Sequence, residues 1–310
     1  MAAVLIRRRT VGFLAAVALA LGGCGGEDGG DASPGVGVGA GASTTTESQA
    51  VRPGATSTTR RSGAPTPTTR KSGSPAPNSG GGSTTANADD GDLRAAAKSG
   101  PGLFAGMLLA PSPADALVVD LLVEQGAQVD EAAIAAVRQT LASASGKPVN
   151  VRAPVAVDLA GDLHSAEEIR TLADAAGRAQ GNGSGVVHVL YLNGAFTDDS
   201  ALGVSVRGDT FAVFPDQLDA VASPLVSRAR LERAVLTHEL GHLLGLVDLY
   251  LQTGRDDAEH PGHSRNSRSV MYWAVESDLV GQVLGGPPPV DFDADDQADL
   301  RKIHDGARAG

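Results

Sequence analysis

The stretch HELGHLLGLVD, residues 238–248, constrains this chain more than any other. His238 and His242 stand four residues apart, so a helix carries both imidazoles on one face, one turn apart. Leu231, Val235 and Leu236 ahead of the motif, with Leu240, Leu243 and Leu244 inside it, extend that helix over residues 230–244. Gly245, three residues after His242, is where a left-handed glycine can end the helix and turn the chain sharply back. The fold therefore has to hold a leucine-rich helix that stops abruptly.

The same spacing suits one zinc ion gripped at about 2.0 to 2.1 Å from each imidazole nitrogen. Glu239 lies about 100° around the helix from His238, better placed to reach a water on the metal than the metal itself. Asp248 can return from the turn as third ligand, which leaves a fourth position for water, as a catalytic zinc site requires. A loop further on, EHPGHSRNS at residues 259–267, offers two competitors. Asp248 is placed ahead of His263, and His260 behind both; if a loop histidine takes the position, Asp248 becomes a support for the loop. The bland alternative is a core helix whose histidines are hydrogen-bonded and metal-free. The glutamate, glycine and aspartate at their fixed offsets weigh against it.

HELGHLLGLVD resembles the H-E-x-x-H-x-x-G-x-x-H/D signature of metzincin zinc peptidases, and SRSVMYW, residues 267–273, resembles the methionine turn of that family in its matrixin form. The resemblance implies an α/β (α+β) zincin domain: a mixed, mainly parallel twisted sheet, an active-site helix and a Met-turn. It also implies that Met271 forms a hydrophobic floor under the zinc without ligating it. An edge strand ahead of the zinc helix would bind substrate in extended form; LGVSV, residues 202–206, is the candidate, which places Gly203 and Val204 in the cleft. Tyr272 would pack beside or line that cleft. The resemblance covers roughly residues 116–304, although only the two motifs are specific. Aspartate at position 248 departs from the commoner histidine, but a carboxylate still binds zinc.

Elsewhere the folded part reads as alternating elements. ALVVDLLV (116–123) and VVHVLYL (186–192) suit buried strands, and VNVRAPVAV (149–157) a strand with an edge or bulge at Pro154. TFAVF (210–214) follows LGVSV across a turn at residues 207–209. Asp130 caps one helix, Ser165 and Glu168 form a capping box on a second, and Asp293 caps a last one. That capping is also the simplest account of the acidic run DFDADD (291–296), which lacks the glycine and glutamate of a calcium loop. His188 reads as a satisfied sheet histidine, and His164 and His304 as helix-end residues.

The first part of the chain cannot build a core. Residues 1–23 read as an export signal: Arg7, Arg8 and Arg9, then an apolar run, then small residues. LGGC, residues 21–24, resembles the lipobox of bacterial lipoproteins, which implies acylation of Cys24, the one cysteine of the chain. Residues 24–92 are rich in Gly, Ser, Thr and Pro and read as a disordered tether, so the catalytic domain is expected over 93–310. The net charge of -11 argues against a nucleic-acid partner.

Together these readings predict an exported lipoprotein on the outer face of a bacterial membrane, anchored by lipid alone and monomeric. Its activity would be zinc-dependent endopeptidase cleavage of protein or peptide substrates, with Zn²⁺ on His238, His242 and Asp248 and with Glu239 as general base. Two rivals stand beside this: a non-catalytic surface binding protein that keeps zinc as structure, and a zinc hydrolase of non-peptide amides.

Overall fold

The computed structural model describes residues 86–197 and 200–306; the signal segment, Cys24 and nearly all of the expected tether lie outside them. Two helices come first, α1 (Ala86–Ala97) and α2 (Ala105–Leu109), followed by β1 (Ala116–Glu124), α3 (Glu131–Ser145), β2 (Val149–Val151), β3 (Val155–Val157), β4 (Leu163–His164) and α4 (Ala166–Ala176). The chain continues through β5 (Ser184–Tyr191), β6 (Ala195–Phe196), β7 (Gly203–Arg207), β8 (Thr210–Val213), α5 (Pro215–Val221) and α6 (Arg228–Leu243). A 3₁₀ turn (Trp273–Glu276), α7 (Val280–Leu284) and α8 (Ala294–His304) close it. Helix α1 starts at Ala86 and buries Leu93 and Ala97, so ordered structure runs across the boundary expected at residue 93.

The main sheet has the order β2-β1-β5-β8-β7, with β3 pairing β1 further along the same side as β2. β1, β5 and β8 run parallel, and β7 returns antiparallel to β8 as the edge. The mixed, mainly parallel sheet read from the sequence is thus present. The one difference is that 149–157 makes two short strands, because Pro154 has no N–H to continue the ladder.

Both faces of the sheet are covered, which is why β5 is buried along nearly its whole length rather than at alternate residues. Val187, Val189 and Tyr191 join the larger core with Ile134 and Val137 of α3 and Leu236 and Leu240 of α6. Leu190 and Leu192 face the other way, onto Ile169 and Ala173 of α4. The capping expected from sequence holds: Ala132 N–H donates to Asp130, and Ser165 with Glu168, and Asp293 with Asp296, form reciprocal boxes. Among the described residues no helix is long and apolar enough to cross a membrane.

Candidate metal centre

Helix α6 begins at Ser227, whose hydroxyl accepts from the Arg230 N–H, and it is buried at nearly every position from Leu231 to Leu243. It ends as the sequence requires: Gly245 is left-handed at φ 77°, and a Cβ there would come within 2.5 Å of Tyr250 Cβ and 3.0 Å of Ala105 Cβ. Val247 and Asp248 are left-handed as well, at φ 52° and 63°. With three left-handed residues among the four from Gly245 to Asp248 the chain turns away from the helix axis, and this decides where Asp248 goes.

The expectation that Asp248 joins the two helix histidines is corrected by the structure. Its carboxylate accepts from the N–H of Thr253 at 2.6 Å, from the Thr253 hydroxyl, and from the N–H of Gly254 at 2.9 Å. Burial works to raise its pKa, but these donors prevail and hold the carboxyl below its usual range. Asp248 is therefore a loop cap, the role it was to take if a loop histidine replaced it.

His263 is the residue brought to the helix histidines. Its ring centroid lies 5.2 Å from that of His238 and 4.9 Å from that of His242. Glu276, at the end of the 3₁₀ turn, completes the group, and one donor atom from each of the four residues lies within 4.8 Å of the others. His260 stays out; its ring stacks on Trp273 at 4.4 Å and 10°.

Two segments position these side chains. The loop carrying His263 is tied by the N–H of Asp257 to the carbonyl of His263 at 2.7 Å and by the Arg255 guanidinium to Asp296 and Asp299 of α8. The turn at Met271 follows it directly: Ser264 N–H donates to Met271 O, and Met271 N–H to Ser269 Oγ. His238 Nδ1 donates to Val270 O at 2.7 Å, so its Nε2 is left with the lone pair facing the group.

The donor set fits zinc. The Nε2 atoms of His238 and His242 approach to 3.0 Å, and Glu276 Oε1 lies 2.8 Å from His263 Nε2 without the alignment of a hydrogen bond. Three imidazoles and a carboxylate brought this close together make a donor set that one zinc ion can take. Burial and the two neighbouring histidines push His242 well below its usual pKa, toward the neutral form that ligates. Burial alone would raise Glu276, but the imidazoles of His238 and His263 beside its carboxylate hold it well below the carboxylate range.

Glu239 is fully buried beside this group without belonging to it. Its Oε2 accepts from the Ser205 hydroxyl at 2.8 Å, and its Oε1 has no hydrogen-bond partner. Burial, and next the negative charge of Glu276, raise its pKa well above the usual value. Gly203 leaves the room it needs, since a Cβ there would stand 2.9 Å from Glu239 Oε1.

A cleft of about 450 Å³ opens onto His263 and Glu276, lined by Gly203 and Val204 of the edge strand and by Trp273 and Leu279 opposite. Trp273 is among the lining residues and Tyr272, next to it in sequence, is not. Glu276 was not anticipated at all; its one signal is an acid ending the otherwise uncharged run SVMYWAVE. His188 is buried between Asp120 and Asp209, at 3.4 and 3.7 Å, while His164 bonds Asn193 O and His304 bonds Asp305.

No protein-family model and no curated protein matches this sequence. Among solved structures the chain is similar to archaemetzincin from Methanopyrus kandleri, with 15% identity over 63% of this chain and 98% of that one, at a TM-score of 0.43. Archaemetzincin from Archaeoglobus fulgidus, complexed with malonate, gives 16% over 59% and 99%, at 0.37. A zinc-dependent peptidase from Methanocorpusculum labreanum gives 14% over 59% and 99%, also at 0.37.

Proposed function

We propose that the chain is a zinc-dependent hydrolase of peptide bonds, in which His238, His242 and His263 hold the ion and Glu239 moves the proton. The observation that carries this reading is the convergence of three imidazoles beside a buried carboxylate that is not one of their group. A purely structural zinc site has no use for Glu239.

When bound, zinc supplies Lewis acidity, polarising a carbonyl and making water acidic enough to ionise near neutral pH. Glu239 takes the proton from the attacking water and returns it to the leaving amine. The Ser205 hydroxyl fixes the carboxylate through Oε2, so Oε1, which has no other partner, is the atom that receives the proton. His238 is oriented by Val270 O and His263 by its loop, so the ligands are set before metal arrives.

The edge strand supports a peptide substrate. β7 pairs β8 on one side only and borders the cleft through Gly203 and Val204, so an extended backbone can add to it. Export and acylation at Cys24 remain part of the proposal on the strength of residues 1–24, placing the enzyme on the outer face of the cell membrane.

The test is metal analysis and cleavage of an unstructured protein by the purified full chain and by Glu239→Gln. One zinc per chain in both, with cleavage only in the parent, is the expected result. A parent without zinc, or a Glu239→Gln variant as active as the parent, overturns the proposal.

A further inference from the structure

We infer that Glu276 is a fourth, displaceable protein ligand of the metal centre, closing in the resting state the position that a hydrolytic site must open to act. The inference rests on the zinc reading given above and adds to it a self-capping carboxylate.

Geometry carries it. Glu276 Oε1 lies 2.8 Å from His263 Nε2, and Oε2 3.5 Å from His238 Nε2, so the carboxylate reaches across two of the three imidazoles. Its atoms belong to the same donor group as theirs, whereas those of Glu239 do not. Three histidines and one carboxylate make a complete tetrahedral set, the closed form that zinc takes in structural sites.

Exposure says which ligand can leave. The side chain of His238 is 0% exposed, that of His263 15% and that of Glu276 26%, and only the last two line the cleft. Anything arriving from the cleft therefore meets Glu276 and His263 before the buried His238, and Glu276 is the more exposed of the two. Its backbone is pinned: Leu202 N–H donates to Glu276 O at 2.6 Å, and Ser277 bridges to Ala201. Only the side chain has to swing, and a glutamate has three rotatable bonds with which to do so. Residues 201 and 202 lead directly into β7, so a peptide adding to that edge engages the strand whose approach segment holds the Glu276 backbone.

Opening the site then costs the displacement of one carboxylate by substrate, and small ligands that make no contact with β7 compete poorly. This is a prediction about coordination, readable without turnover.

The full chain is compared with Glu276→Gln and Glu276→Ala, the first being near-isosteric and so retaining the fold if the second does not. Zinc affinity is measured by chelator competition, and the cobalt-substituted proteins are titrated with azide while their visible spectra are followed. The expected result is a tenfold or greater loss of zinc affinity in Glu276→Ala, an altered cobalt spectrum in both variants, and azide binding at least tenfold tighter than in the parent. Unchanged zinc affinity, cobalt spectrum and azide binding in both variants overturn the inference. If those variants match the parent while Glu239→Gln still abolishes cleavage, the ligand role of Glu276 fails and the hydrolase reading stands. A parent that binds no metal ends both.

Discussion

Gly241 lies directly against Met271: a Cβ on residue 241 would overlap the methionine Sδ and stand 2.9 Å from its Cε. The glycine between His238 and His242 is therefore a packing requirement, since the turn at Val270 and Met271 must sit on the bare backbone of α6 for Val270 O to reach His238. Gly241→Ala should lose about 1–3 kcal/mol by overpacking, despite the better helix propensity of alanine. Met271→Leu keeps the volume and should cost under about 1.5 kcal/mol. Denaturant melts of both variants check this, and a Gly241→Ala chain as stable as the parent would remove the packing argument.

The division of labour between Asp248 and His263 is directly measurable. His263→Ala should lose most of its zinc, while Asp248→Ala should keep about one ion per chain. The Asp248 change should instead cost about 1–3 kcal/mol of stability, because it leaves the donors of Thr253 and Gly254 without their charged acceptor. Mass spectrometry of metal content beside thermal melts separates the two. Zinc lost chiefly from the Asp248 variant would return the third ligand to the turn.

Much of this site was legible because helix periodicity is local. His238, Glu239 and His242 need only the 3.6-residue repeat, and the halt at Gly245 needs only its φ. Which residue joins His238 and His242 was not legible in the same way, since that depends on how far the chain turns after the helix. Val247 adopts a left-handed backbone that a β-branched residue does not announce, Asp248 follows it there, and the carboxylate is carried to residues 253–254. Glu276 lay beyond local reasoning entirely. It reaches the histidines through a 3₁₀ turn whose position is set by pairing with residues 200–202, a long-range contact. In the fold, apolar runs revealed β1 and β5, whereas α1 was hidden by a composition that resembles the preceding low-complexity sequence.

Ser205 should act on the pH profile rather than on metal. Its hydroxyl donates to Glu239 Oε2 and favours the ionised carboxylate, against the burial that raises the pKa. Ser205→Ala should therefore raise the pKa of Glu239 further, moving the acid limb of kcat/KM to higher pH. Zinc content should not change, and activity at neutral pH should fall by roughly tenfold to 150-fold, the worth of one hydrogen bond of about 1.5–3 kcal/mol to a charged group. An acid limb that stays in place would show that Glu239 is not the group titrating there.

Asp296 should make folding stability depend on pH in the opposite sense to an ordinary surface carboxylate. It is buried at the start of α8, where burial, and next the charge of Asp293, raise its pKa to about 6 in spite of Arg255 and the Ser269 hydroxyl. In the unfolded chain it would titrate near 3.8, so between these values the native state holds a proton that the unfolded state has released. The associated stability is fully present below the unfolded pKa and is lost as pH rises through the folded one. At about 1.4 kcal/mol per unit, the loss is on the order of 2–3 kcal/mol. Asp296→Asn keeps an oxygen to accept from Asp293 N–H and removes the titration. The difference in unfolding free energy between parent and variant should then shift in the variant's favour as pH rises from about 4 to about 7. Urea melts across that range give the difference directly, with contributions from the other carboxylates cancelling. Parallel curves for the two proteins would show that Asp296 is ionised throughout, held by Arg255 as an ion pair.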